Sequence, residues 1–124
     1  MRGIETQVRK VRRRVFKEIA DLAYHSENLI DDMEALPYKI VPGGGQEYRE
    51  SVYRERAVVR ERIRLAIGMS LRPEDAPVHV SQGVEESNIA EKYYEPPLLQ
   101  VIPSACNACP ENQYEVTNKC MGCL

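Results

Sequence analysis

All four cysteines of the chain fall in its last nineteen residues, CNACPENQYEVTNKCMGCL, as two Cys-x-x-Cys pairs, Cys106 with Cys109 and Cys120 with Cys123. In such a pair the two intervening residues let the backbone curl around one metal ion or cluster, with its amides free to point at sulfur. Four thiolates satisfy tetrahedral zinc, and they equally satisfy a cubane iron-sulfur cluster. Ten residues separate Cys109 from Cys120, fewer than the roughly 15 to 20 usual between the pairs of a zinc ribbon, which mildly disfavours zinc. Redox dithiol chemistry is a further alternative, although a thioredoxin-like site expects a strand-turn-helix context and these pairs lie in a polar tail. Pro103 and Pro110 stiffen the first pair, and Gly122 permits close backbone approach at the second. Between Pro103 and Leu124 the apolar side chains are too few to order the segment alone, whereas metal ligation couples binding energy directly to folding.

The other groups capable of chemistry form no comparable set. His25 and His79 are the only histidines, and structural roles are expected for both. The paired acids Asp31 with Asp32 and Glu85 with Glu86 sit in polar surroundings that give no reason for catalytic tuning. Gly43, Gly44 and Gly45 are not followed by the helix with Lys and Ser or Thr that a phosphate-binding loop requires, so they read as a linker.

A chain of 124 residues with 43% hydrophobic side chains, no Trp and one Phe supports one modest, mainly aliphatic core. Its formal charge of -2 conceals a segregation: residues 1–17 carry seven basic groups against Glu5, and residues 18–36 carry six acids with no Lys or Arg. The start is basic and periodic, unlike a secretory signal, and no apolar run approaches the roughly 18 residues of a membrane span. A cytoplasmic protein is expected, in which close cysteine pairs favour metal or redox work over structural disulfides. No nucleic-acid partner is expected, because the basic run lacks interleaved aromatics and any nucleic-acid motif. No membrane partner is expected either.

Ile4, Val8, Val11, Val15, Ile19 and Leu22 recur at the spacing of one helix face. A short second helix, capped by Ser26 and carrying Leu29, Ile30 and Met33, is expected to end near Leu36, since Pro37 disfavours helical geometry before it. Tyr38 to Val41 then reads as extended. A second long helix is expected from Ser51 to Ile67, with Val52, Val59, Ile63, Ala66 and Ile67 on its apolar side and Gly68 ending it. Six arginines stand from Arg49 to Arg64; those without helical-spacing partners have the acidic residues 18–36 or a carboxylate-rich partner to meet, or face solvent. VHV at 78–80 and LLQVI at 98–102 suit short strands, with two helical turns between them before Pro96 and Pro97. The expected fold is therefore mainly α with short β strands, an α+β protein with two long amphipathic helices and a small cysteine-rich metal-binding C-terminal segment. Three regions are expected: 1–45, helical with a Gly-rich linker; 46–102, the Arg-rich helix with loop and strand segments; and 103–124, the cluster-binding segment.

The stretches VYRERAVVRERIRLAIG and GVEESNIAEKYYEPPLLQVIPSACNACPENQYEVTNKCMGCL, with LPYKIVPGGG and the opening helix, closely resemble the N-terminal part of monomeric iron-only (FeFe) hydrogenases that carry ferredoxin-like modules. The resemblance covers nearly the whole chain and about the first quarter of a typical member. It implies that Cys120 and Cys123 open a ferredoxin-type run whose other half lies beyond Leu124, and that Cys106 and Cys109 are an additional upstream pair. A 4Fe-4S cluster is the implied cofactor, with zinc on the four cysteines as the alternative. The implied partners are a hydrogenase catalytic domain, normally in the same chain, and a redox protein. None of the cysteine motifs of the family's catalytic cluster is present, so no hydrogenase activity is expected from these residues alone. The abrupt end after Cys123 suggests a truncated chain, with apolar stripes left exposed on both long helices. The rival reading is a small zinc-binding interaction module, and a third leaves the cysteines as ligands that bind nothing.

Overall fold

The computed structural model describes residues 5–44, 51–87 and 100–106. Three helices carry the fold: α1 over Gln7–His25, α2 over Leu29–Ile40 and α3 over Val52–Ala66. A single-turn α4 follows at Val84–Ser87, and a 3-10 turn spans Pro103–Ala105. No strand occurs among the described residues, so the expectation of an α+β fold is corrected to a helical one.

Side-chain oxygens cap the three long helices. Thr6 Oγ1 accepts from Arg9 N–H, Asn28 Oδ1 from Asp31 N–H and Ser51 Oγ from Arg54 N–H, each satisfying one donor that the first helical turn leaves open. The expected cap at Ser26 is displaced to Asn28, and Ser26 instead closes α1 while its hydroxyl donates to Asp32 at 2.6 Å. At the other end of α3, Met69 N–H reaches Arg64 O at 2.9 Å and Gly68 N–H reaches Leu65 O at 3.2 Å. This Schellman pair requires a left-handed residue, and Gly68, with φ +80°, supplies it.

α2 passes through Pro37, contrary to the expected stop at Leu36 and extended run from Tyr38. Proline inside a helix costs about 3 kcal/mol in an isolated segment. Here Leu36, Pro37 and Ile40 are all buried, and the final turn has donors from outside: Arg14 donates to Lys39 O at 2.8 Å, and Arg56 donates to Val41 O at 2.9 Å and Pro42 O at 2.8 Å. Tertiary packing and two guanidinium groups thus offset a local preference.

The core consists of Val15 from α1, Met33, Leu36 and Ile40 from α2, Val59 and Ile63 from α3, and Met69, Val80 and Val84 from the segment after it. Val11, Ile19, Leu22, Ala66 and Ile67 pack around its edge. The apolar stripes of α1 and α3 therefore cover each other and α2, correcting the expectation that both remain exposed.

The VHV segment is not a strand, because its backbone acceptors are taken by arginines. Arg64, only 7% exposed, donates to the carbonyls of Ser70, His79, Val80 and Gln82 at 2.8 to 3.2 Å. Arg72 donates to Val78 O, and Ser81 donates from both its amide and hydroxyl to Glu34 of α2. In the second expected strand the described residues, 100–102, are not extended into a ladder, and Leu98 and Leu99 lie outside the described residues. Of the helical turns expected between them only Val84–Ser87 is described.

Lys39 of α2 pairs with Glu18 of α1 at 2.6 Å. The hydrogen bond to Glu18, and then its charge, raise the Lys39 pKa above the ordinary 10.5. A raised lysine pKa contributes stability that is fully present below pH 10.5 and lost as pH rises through the elevated value. Thermal melts between pH 9 and pH 12, scanned in roughly one-unit steps, are expected to fall less steeply for Lys39→Met than for the wild type.

Candidate cysteine site

The polypeptide enters the cysteine segment through the 3-10 turn at Pro103–Ala105. Proline at its start presets the backbone, and the turn closes with Ala105 N–H on Ile102 O and Cys106 N–H on Pro103 O, both at 3.0 Å. Arg54, in the first turn of α3, holds this turn from the side. Its Nε donates to Ser104 O at 3.0 Å and its Nη2 to Cys106 O at 2.6 Å. Leu71 N–H, donating to Gln100 Oε1 at 3.2 Å, ties the approach to the turn to the loop after α3.

Cys106 is thus an exposed thiol on a turn whose backbone is anchored to a helix fifty-two residues earlier in the chain. Cys109, Cys120 and Cys123 lie outside the described residues. Among the described residues no three His, Cys, Asp or Glu side chains are grouped to hold a metal ion. The donor chemistry of the four cysteines suits either an iron-sulfur cluster or zinc, and the exposed, unbridged Cys106 is available to take part in either.

Beside the turn, Pro103 and Ser104 line a cleft of about 700 Å³ together with Ala57, Leu71 and Val78. Glu61 and Arg72 also line it, joined by a 2.6 Å ion pair whose side chains are 10% and 23% exposed. Arg72 N–H adds a second bond to the Glu61 carboxylate at 3.0 Å. The carboxylate is consequently engaged by two donors of one residue and serves to hold the loop against α3.

The remaining sequence candidates have structural surroundings. His25 contacts the Asp21 carbonyl at 3.0 Å and its carboxylate at 3.2 Å at the exposed end of α1. His79 is exposed, with its carbonyl bonded to Arg64. Asp31 and Asp32 belong to the start of α2, and the Glu85 side chain is exposed. By helical spacing Arg54 and Arg64 are expected to form weak surface pairs with Glu50 and Glu61, whereas the structure pairs Glu61 with Arg72 and brings Arg54 to the backbone of residues 104 and 106. Ser51-x-x-Arg54 is visible as a helix start, but no local spacing announces a contact with residues 104 and 106.

The arginines of α3 do not chiefly meet the acidic residues 18–36. Arg54, Arg56 and Arg64 bind backbone carbonyls, while Arg60 donates to the Tyr38 hydroxyl at 3.2 Å and Arg56 lies 4.6 Å from the Tyr38 ring centroid. A guanidinium with five forked donors suits such multiple acceptance better than a lysine does.

No family model, curated protein or solved structure matches the chain. Among the described residues no helix is long and apolar enough to cross a membrane.

Proposed function

We propose that the chain is the N-terminal electron-transfer segment of an iron-only hydrogenase-like protein. Its four cysteines would ligate iron-sulfur, with Cys120 and Cys123 opening a ferredoxin-type 4Fe-4S motif and Cys106 and Cys109 forming an additional pair. The observation that carries this reading is the pair of Cys-x-x-Cys turns within stretches resembling that family from VYRERAVVRERIRLAIG to the last cysteine. An iron-sulfur cluster supplies one-electron transfer at a potential set by its ligands and surroundings. The protein's own part is ligation, partial exclusion of water and placement relative to a catalytic domain or a redox protein. The exposed Cys106 on an anchored turn supports that role. Residues that hold the family's catalytic cluster have no counterpart here, so electron delivery, and not hydrogen chemistry, is the proposed activity. Cysteine pairs reserved for metal also accord with a reducing, cytoplasmic setting.

Anaerobic reconstitution with ferrous iron and sulfide tests the reading. Iron and acid-labile sulfide in comparable amounts, with a brown chromophore bleached by dithionite, are expected. Serine at both Cys120 and Cys123 is expected to abolish most of that iron. A colourless chain that takes up one zinc and no sulfide would instead identify the small zinc-binding interaction module, whose four-thiolate donor set is also present.

A further inference from the structure

The side of α1 turned away from the core carries a stripe of its own. Arg9, Arg13, Phe16, Ala20 and Tyr24 recur at intervals of four, three, four and four, which places them along one side of the helix. All five are exposed, Phe16 at 59% and Tyr24 at 85%. Charge divides along the helix. Arg9, Lys10, Arg12, Arg13 and Lys17, all exposed, occupy its N-terminal part, whereas Asp21, Glu27, Asp31 and Asp32, also exposed, stand at its C-terminal end and just beyond. Arg9, Lys10, Arg12 and Lys17 form no ion pair with another described residue.

We propose that this side of α1 is the interface between two copies of the chain, packed antiparallel about a two-fold axis level with Glu18 and Ile19. Reversing one helix against the other sets the basic half of each copy on the acidic half of its partner, twice over, whereas a parallel pair sets like charges together. About that axis Lys17 lies against the partner's Ala20 and Asp21. Arg13, exposed beside Glu5, lies opposite the partner's Tyr24, where a guanidinium meets an aromatic face. Phe16 and Ala20 flank the axis, so the exposed ring gains cover and the small side chain permits close approach. A second copy is the occupant because the complementary charge stands on the same helix, at the spacing that reversal requires. One helix face per copy is less than the ~1,200 to 2,000 Å² that stable complexes bury, so a dissociation constant on the order of 10 to 100 μM is expected. None of this depends on what the cysteines bind.

Sedimentation of the full chain from about 5 to 500 μM, with a thiol reductant and a chelator present so that the cysteines cannot join the copies, is expected to show a monomer passing into a dimer. Raising the salt from about 50 to 500 mM is expected to weaken the dimer roughly tenfold. Lys17→Glu and Asp21→Lys, each first checked for helix content by circular dichroism, are each expected to weaken self-association by roughly tenfold or more, since each substitution sets like charges together at both ends of the pair. Mixed in equal amounts, the two variants are expected to associate at least as tightly as the wild type, because opposite charges again meet across the interface. A wild-type chain that stays monomeric throughout the range overturns the proposal. So does a dimer insensitive to salt and to both substitutions, and so does a pair of weakened variants that fail to recover on mixing.

Discussion

Replacing Arg64 with Met is expected to destabilise the protein by about 3 to 4 kcal/mol, measured as a lower urea midpoint. The substitution keeps most of the aliphatic volume and removes the donors. Four carbonyls, of Ser70, His79, Val80 and Gln82, lose their guanidinium partner together, and the bond to Val80 is fully buried. An acceptor left without a partner in the interior loses its hydration as well, so the effect exceeds that of an exposed hydrogen bond. Burial lowers the Arg64 pKa, while the nearby Glu61 carboxylate acts in the opposite direction. An arginine nevertheless keeps its proton across the neutral range, so the loss is expected to be the same at pH 6 and pH 8 within roughly half a kcal/mol. Hydrogen exchange localises it. Protection at Val80 and Ser81 should disappear first, with the α1 to α3 packing retained under mild conditions, because the loop is the part that Arg64 holds.

Ile63→Ala is expected to remove about 3 kcal/mol, again from urea unfolding, and to affect the whole bundle at once. Ile63 is fully buried at 0% exposure and lies where α1, α2 and α3 meet. It also borders an apolar recess of about 200 Å³ with Ile19, Leu22, Met33 and Val84. Truncation enlarges a space that already exists, and the rigid helices around it limit collapse, so both the lost burial and the lost dispersion contacts persist. A domain of this size has only about 5 to 15 kcal/mol in total, so a two-state transition at a much lower denaturant concentration is the expected observation. If instead only the last turn of α3 loses exchange protection, Ile63 is not the joint between the helices.

The two substitutions act on different levels of organisation. Ile63 belongs to a pattern visible in the sequence, since Val59, Ile63, Ala66 and Ile67 form one side of a helix. The need of that side for a partner follows from the hydrophobic effect alone. Arg64 stands two turns from Arg56 in a run of charge that reads as solvated, and its burial depends on where residues 70 to 82 return. The same distinction separates Gly68, recognisable as a helix stop, from Pro37, which local rules place after a helix and packing places inside one.

By itself the sequence determined α1 and α3, the Gly68 stop and the concentration of potential metal ligands in two cysteine pairs. Each of these depends on residues within about four positions of one another, where helical geometry alone imposes the relation. Tertiary structure decided that α2 continues to Ile40, that VHV forms no strand and that Arg54 holds the cysteine turn. Those outcomes depend on which guanidinium reaches which carbonyl across 6 to 52 residues of chain. Isolated, the carbonyls would have been expected to pair in a ladder or face water. Once the helices pack, arginine donors stand closer, and satisfying buried acceptors there settles the local conformation.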